Sequence, residues 1–200
     1  MRARLALLRL LLPLLAGALA ACDTPPTREP FPKLTYGYLA PFRLAVDHVD
    51  VVDAYRPPMT APNVEQDFPV SPAATAAEWG RDRLAATGGS TSRAVYTVLR
   101  GDAVETHLAQ EDSGGMFSDF NVPQSDRYDL TIAVRLQIID PDGKVKASVD
   151  ATATRSRTVA QDATLNDRER VWFSLTEQTM KELNASLEKA IPQYLGSYLR

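Results

Sequence analysis

The sequence predicts an α+β domain: a mainly antiparallel sheet of about four strands with two helices packed on one face. Three observations carry this expectation. Tyr128, Leu130, Ile132, Val134, Leu136 and Ile138 share one parity and Asp129, Thr131, Arg135 and Gln137 the other, the pattern of a half-buried strand. Asp140-Pro141-Asp142-Gly143 then offers a tight turn, after which Val145, Ala147, Val149, Ala151 and Ala153 return with Lys146, Ser148, Asp150 and Thr152 opposite. Finally, Trp172, Thr176, Met180, Leu183, Leu187, Ala190, Ile191 and Tyr194 fall on one face at helical spacing, with Lys181, Glu182, Glu188 and Lys189 facing away.

Taken in order, residues 1–21 have the three parts of a bacterial export signal: basic Arg2 and Arg4, a leucine-dense segment, and small residues Ala16-Gly17-Ala18. Arg9 and Pro13 interrupt the apolar segment, and the uncharged run Leu10 to Cys22 is shorter than the ~20 residues of a bilayer-spanning helix. Cleavage is therefore expected. Leu19-Ala20-Ala21-Cys22 resembles the lipobox of bacterial lipoproteins, and it holds the only cysteine of the chain. That resemblance implies diacylglycerol on the Cys22 thiol, cleavage before it, and an N-acyl group on the new amine. Two or more acyl chains give stable anchoring where one does not. A single cysteine excludes an internal disulfide framework, and a lipid-capped sulfur leaves no thiol for catalysis. Asp23 resembles the residue that retains enteric lipoproteins in the inner membrane, while the choice between inner and outer membrane stays open.

Residues 22–41 form the expected tether, with five prolines in 23–41, extended at about 3.1 Å per residue where it adopts polyproline II. Tyr36, Tyr38 and Leu39 are apolar enough for its far end to dock. Residues 42–200 form the single expected domain. From Phe42 to Tyr55 the inward parity changes, from Leu44 and Val46 to Val49 and Val51, which predicts a β-bulge at Asp47-His48. Arg56-Pro57-Pro58 ends that strand, and Met59 to Val70 reads as a loop. Ser71-Pro72 is an N-cap followed by a proline at the first helical position, predicting a helix to Thr87 with Gly88-Gly89 as its stop. Its face of Ala73, Ala76, Ala77, Gly80 and Leu84 is small enough for close packing on a sheet. Arg93 to Leu108 reads as a strand, or as two broken at Gly101-Asp102. Residues 109–127 read as a loop holding Met116, Phe117, Phe120 and Val122, either a lid on the core or a partner contact. Asn166 and Glu169 resemble a capping box for the last helix, and Pro192 is expected to kink or break its final turns.

Charge and motifs narrow the function. Loss of residues 1–21 removes three arginines and no acid, so 22 basic against 25 acidic residues become 19 against 25, a net charge of −6. A mildly acidic chain argues against a nucleic-acid partner. His48 and His107 lack the i, i+4 partners or cysteines of a zinc site and read as structural or exposed. Asp140-x-Asp142-Gly143 is similar to part of a calcium loop but lacks the downstream bidentate glutamate. Asp47, Asp50 and Asp53 are spaced like polar strand residues. No nucleophile elbow, phosphate loop or His-Glu-x-x-His occurs, which points away from an enzyme and from cofactors other than the lipid.

The lipobox, the Leu44-to-Tyr55 strand followed by Pro-Pro, and the Trp79-to-Leu84 helix segment together resemble the small α/β envelope lipoproteins that are auxiliary subunits of lipid-transporting ABC systems or act in lipopolysaccharide assembly. The resemblance implies a lipid-anchored, non-catalytic accessory protein on the periplasmic side of a bacterial membrane, with an envelope protein as partner. Contact is expected through Met116, Phe117, Phe120 and Val122 and through the sheet face carrying Thr131, Arg135, Gln137, Lys146 and Thr152. The alternatives are a carrier whose groove, lined by Trp172, Met180 and strand residues, takes an acyl chain, and a hydrolase with an unrecognised site.

Overall fold

Alternation of apolar and polar side chains sets the architecture. The computed structural model describes residues 30–109 and 124–200. Through them run β1 (Phe42–Leu44), β2 (Val49–Asp53), a 3-10 turn (Glu65–Asp67), α1 (Pro72–Arg83), β3 (Leu84–Ala86), β4 (Arg93–His107), β5 (Gln124–Ile139), β6 (Val145–Ala160), α2 (Leu165–Leu195) and a last 3-10 turn (Gly196–Tyr198). The main sheet has the order β2-β4-β5-β6, antiparallel except for the parallel β2–β4 pair. Gly143 at φ 81° closes the β5–β6 turn, its N–H bonding the Asp140 carbonyl at 3.0 Å. Tyr96, Leu130, Ile132, Leu136 and Ile138 are buried on the face that α1 and α2 cover. Burying each such side chain contributes about 1.5–3 kcal/mol. The helices are tied to each other where Trp79 Nε1 donates to Asn184 Oδ1 at 2.8 Å.

Between Phe42 and Tyr55 there is a change of sheet in place of the expected bulge at Asp47-His48. β1 pairs in parallel with β3 in a separate two-stranded sheet, and β2 joins the main sheet beside β4. Changing sheets reverses the inward parity as a bulge does, so alternation cannot separate the two. The helix that begins at Ser71 is shorter than predicted for the same reason. Ser71 caps it, its hydroxyl accepting from Ala74 N–H at 3.3 Å. Leu84–Ala86 then leaves the helix to pair with β1, and Thr87 and Gly88 N–H bond the Leu44 and Val46 carbonyls at 2.8 and 2.9 Å. Gly88 and Gly89, at φ 73° and 80°, turn the chain after a strand and not after a helix.

β4 is unbroken at Gly101-Asp102; its irregularity is one extra residue at Leu99, between Val98 and Arg100. Gly101 instead serves as the seat of α1, since a Cβ there would lie 2.7–2.9 Å from Ala73 atoms. β5 begins at Gln124, inside the stretch read as loop, because His107 to Arg93 extends far enough to pair with Asp126 to Ile139. Val145, expected inward, is 44% exposed at the hairpin end.

α2 is capped by Thr164 and Asp167, two residues before the predicted Asn166 start. Asp167 N–H donates to Thr164 Oγ1 at 3.2 Å and Thr164 N–H to Asp167 Oδ2 at 3.0 Å. Pro192 does not end the helix, which continues to Leu195. A proline in a helix interior costs about 3 kcal/mol, and full burial of Leu187, Ile191 and Leu195 outweighs it. Tyr194, expected on the buried stripe, is 59% exposed, while Leu175, Thr179 and Leu195 complete the stripe. Residues 31–36, within the stretch expected to be a tether, dock on the domain: Tyr36 is buried with its N–H on Asp82 Oδ2 at 2.6 Å, and the Phe31 ring sits 5.1 Å from Phe173, whereas Tyr38 stays exposed. Among the described residues no helix is long and apolar enough to cross a membrane.

Candidate functional site

The richest ionisable cluster forms where β4 ends, β5 begins and α2 starts. The extra residue at Leu99 shifts β4 so that Glu105 and His107 face the helix side, opposite Tyr128 and Asp126 in register. His107 Nδ1 pairs with Asp126 Oδ1 at 2.6 Å. Ser125 Oγ and Arg168 Nη1 donate to Asp126 Oδ2, each at 2.7 Å. Arg168 Nη1 also donates to the Tyr128 hydroxyl at 2.6 Å, which donates onward to Glu105 Oε1 at 2.7 Å.

These contacts set the charge states. Burial alone would raise the Asp126 carboxyl, but the bonds from Ser125, His107 and Arg168 outweigh it and hold the group at about 2. The bond to Asp126, and then its negative charge, raises the His107 imidazole. Burial, and then the Glu105 bond, pushes the Tyr128 phenol up to about 12. Glu105, His107 and Asp126 offer ligand atoms within 4.8 Å of one another, a donor set that suits a borderline divalent metal. Arg168 stands beside both carboxylates, 2.7 Å from Asp126 and 3.9 Å from Glu105, so a fixed cation already balances them. As arranged, the cluster fastens α2 to the sheet, since Arg168 on α2 bonds both Asp126 and Tyr128 on β5.

A second feature lies beside it. Glu65 is buried and accepts from the Tyr55 hydroxyl at 2.5 Å, Ala103 N–H at 3.1 Å and Asn63 Nδ2 at 3.3 Å. These bonds pin the Glu65–Asp67 turn against β4, and burial followed by the Glu65 bond raises the Tyr55 phenol. Between this turn and the start of α2 opens a cleft of about 580 Å³ with Phe31, Phe68, Trp172, Asp67 and Glu169 among its walls.

Several expected site residues, Cys22, Asp23, Met116, Phe117, Phe120 and Val122, lie outside the described residues. The sheet face opposite the helices carries Thr131, Arg135, Gln137, Lys146 and Thr152, laced by an Arg135–Asp150 ion pair at 2.6 Å and a Thr131–Thr154 hydroxyl contact at 3.1 Å. Trp172 lines the cleft, but Met180 is enclosed in the core and lines no groove. His48 is half exposed beside Asp47 and Asp50. Asp140 accepts from Lys144 N–H at 2.8 Å within the hairpin turn. The sequence reading missed the Asp126–Arg168 network: the parity of His107 can be read only once the extra residue at Leu99 is placed.

No family model matches the chain, and no curated protein matches it. Among solved structures it is similar to rare lipoprotein B from Shewanella oneidensis, at 8% identity over 72% of this chain and 92% of that one, with a TM-score of 0.36. It is also similar to a Xanthomonas campestris protein of the DUF330 family, at 14% identity over 82% and 93%, TM-score 0.30. A minor lipoprotein from Acinetobacter baumannii follows at 18% identity over 72% and 94%, TM-score 0.29. Likenesses this distant fix neither family nor function.

Proposed function

We propose that the chain is a lipoprotein anchored on the periplasmic side of a bacterial membrane, acting as a non-catalytic accessory or scaffold subunit in envelope transport or assembly. The observation that carries this reading is Leu19-Ala20-Ala21-Cys22 placed ahead of a proline-rich stretch and one helix-backed sheet. Cys22 bears diacylglycerol and an N-acyl group in this reading, which makes lipid the only membrane contact required. The opposite sheet face is polar and carries no helix among the described residues, leaving Thr131, Arg135, Gln137, Lys146 and Thr152 available to an envelope protein. Met116, Phe117, Phe120 and Val122 are proposed to add the apolar part of that contact.

The acyl-carrier alternative has less support, because its Met180 is fully buried. A hydrolase also has less, since Glu105, Asp126 and Tyr128 are committed to one another and to Arg168.

Metabolic labelling with a palmitate analogue tests the anchor: wild type should be labelled and sediment with membranes, and Cys22→Ser should do neither. Labelling that survives Cys22→Ser removes the lipoprotein reading. Cross-linking in cells with Phe117→Ala/Phe120→Ala and, separately, Arg135→Glu tests the contact. Recovery of unchanged partners by both variants argues against an accessory role through these surfaces. Fractionation of Asp23→Ser beside wild type then assigns the membrane.

A further inference from the structure

Residue 31 is held at one end of the domain. Arg155 and Arg157 of β6 reach Glu182 and Gln178 of α2, at 3.1 and 2.9 Å, so the helix runs back along the strand in the opposite direction. Close to the start of α2, Arg168 bonds Asp126 and Tyr128 near the start of β5. The start of β5, the end of β6 and the start of α2 therefore share one end of the molecule, and the turn at residues 140–143 lies at the other. Phe31 packs on Phe173, about one and a half turns nearer the helix start than Gln178. That level is the end of β6, and the exposed Leu165, first residue of α2, lines the same cleft as Phe31. At ~3.3 Å per residue, β6 from Val145 to Ala160 measures about 50 Å. The 140–143 turn stands off from Phe31 by about that length.

We propose that the Phe31 end of the domain faces the bilayer holding the Cys22 lipid, with Phe31 and Leu165 at the headgroups and the 140–143 turn pointing away. This orientation rests on the lipid anchor of the proposed function. Covalent geometry carries it: the chain from Cys22 to Phe31 spans at most about 32 Å. An inverted domain, with its β5–β6 turn on the bilayer, would hold Phe31 about 50 Å away, beyond that reach. A domain lying on its side is within reach but gains little. Interfacial binding grows with buried apolar area, whereas the helix side presents exposed Lys181, Glu182 and Glu188, and the open sheet face Arg135 and Asp150. A chain of net charge −6 after loss of residues 1–21 is not drawn flat onto an anionic surface either. The upright orientation leaves the open sheet face beside the bilayer normal, free along its length for the envelope protein proposed as partner.

The test uses the full mature chain, lipid retained, in vesicles of phosphatidylethanolamine and phosphatidylglycerol. Cys22 is the only cysteine and its thiol is acylated in this reading, so Leu165→Cys and, separately, Asp142→Cys each take one dye at an exposed position. Energy transfer to rhodamine on the lipid headgroups reads the closest approach of each position. Transfer should be strong from position 165 and weak from position 142, the closest approaches differing by up to about 50 Å. Inserting about 20 Gly and Ser residues between Thr27 and Arg28 lengthens the reach by about 25 Å and should shrink that difference. Mass spectrometry of the N-terminal peptide separates two failures. No lipid on Cys22 overturns the anchor, and the orientation with it. Lipid on Cys22 with equal transfer from both positions, or stronger transfer from 142, overturns the orientation alone. A difference that the insertion leaves unchanged overturns the role given to chain length.

Discussion

Asp126 is where pH acts on the fold. Its carboxyl is held at about 2, below the ordinary 3.8, so the ionised form favours the folded chain. That stabilisation is complete above the ordinary value and fades as pH falls from about 4 to about 2, amounting to about 2 kcal/mol for a side chain this enclosed. His107 works in the opposite direction: its raised value means that its contribution is present below its ordinary value and is lost as pH rises through the folded one. Urea unfolding should therefore show Asp126→Asn costing about 2 kcal/mol at neutral pH, with the gap to wild type closing near pH 2. His107→Ala should cost more at about pH 5 than at about pH 9; equal losses at both would contradict the ion pair. A different residue offers a gain. The Tyr96 hydroxyl is buried without a partner among the described residues, and Tyr96→Phe should raise stability by about 1 kcal/mol in the same assay.

The elements meet at two glycines. Gly101 on β4 lies under Ala73, the second residue of α1, and Gly80 on α1 lies over the ring of Tyr96, where a Cβ would approach within 2.6–3.2 Å. Neither neighbour yields easily, since Ala73 is held by the capped first turn and Tyr96 is fully buried. Gly101→Ala and Gly80→Ala should each lower stability by about 1–3 kcal/mol in thermal or urea unfolding. A neutral result at both would mean that α1 slides on the sheet. Much at this scale was legible beforehand. The Tyr128–Ile138 alternation, the Asp-Pro-Asp-Gly turn and the Ser71-Pro72 helix start are local signals, and each reappears where it was expected. Leu84–Ala86 was not legible, because an alanine-rich run continues a helix as readily as it pairs with a strand. Its choice is made by the open edge of β1, which lies forty residues earlier in the chain.

At the scale of the molecule, Arg83 is the clasp. Only 3% exposed, it donates to the Ala40 carbonyl and to Glu188 Oε1 at 2.8 Å, and its guanidinium lies 4.9 Å from the centre of the Phe42 ring. One side chain thus joins the segment at Ala40, β1, α1 and α2. Arg83→Met should lower stability by about 1–3 kcal/mol, because the half-exposed Glu188 can return to water once freed. It should also speed proteolysis within residues 30–41, and unchanged cleavage there would show that this segment is held without it. Local pattern determined the β5–β6 hairpin and the two helices of this protein, and the Leu19-Ala20-Ala21-Cys22 run that resembles a lipobox and on which the proposed anchoring rests, because period, turn chemistry and capping each need only neighbouring residues. The cluster at Asp126, the cleft at Trp172 and the clasp at Arg83 were decided by tertiary structure alone. Each joins residues tens of positions apart, and the Asp126 cluster depends besides on strand register and on a single extra residue at Leu99 that local alternation does not reveal.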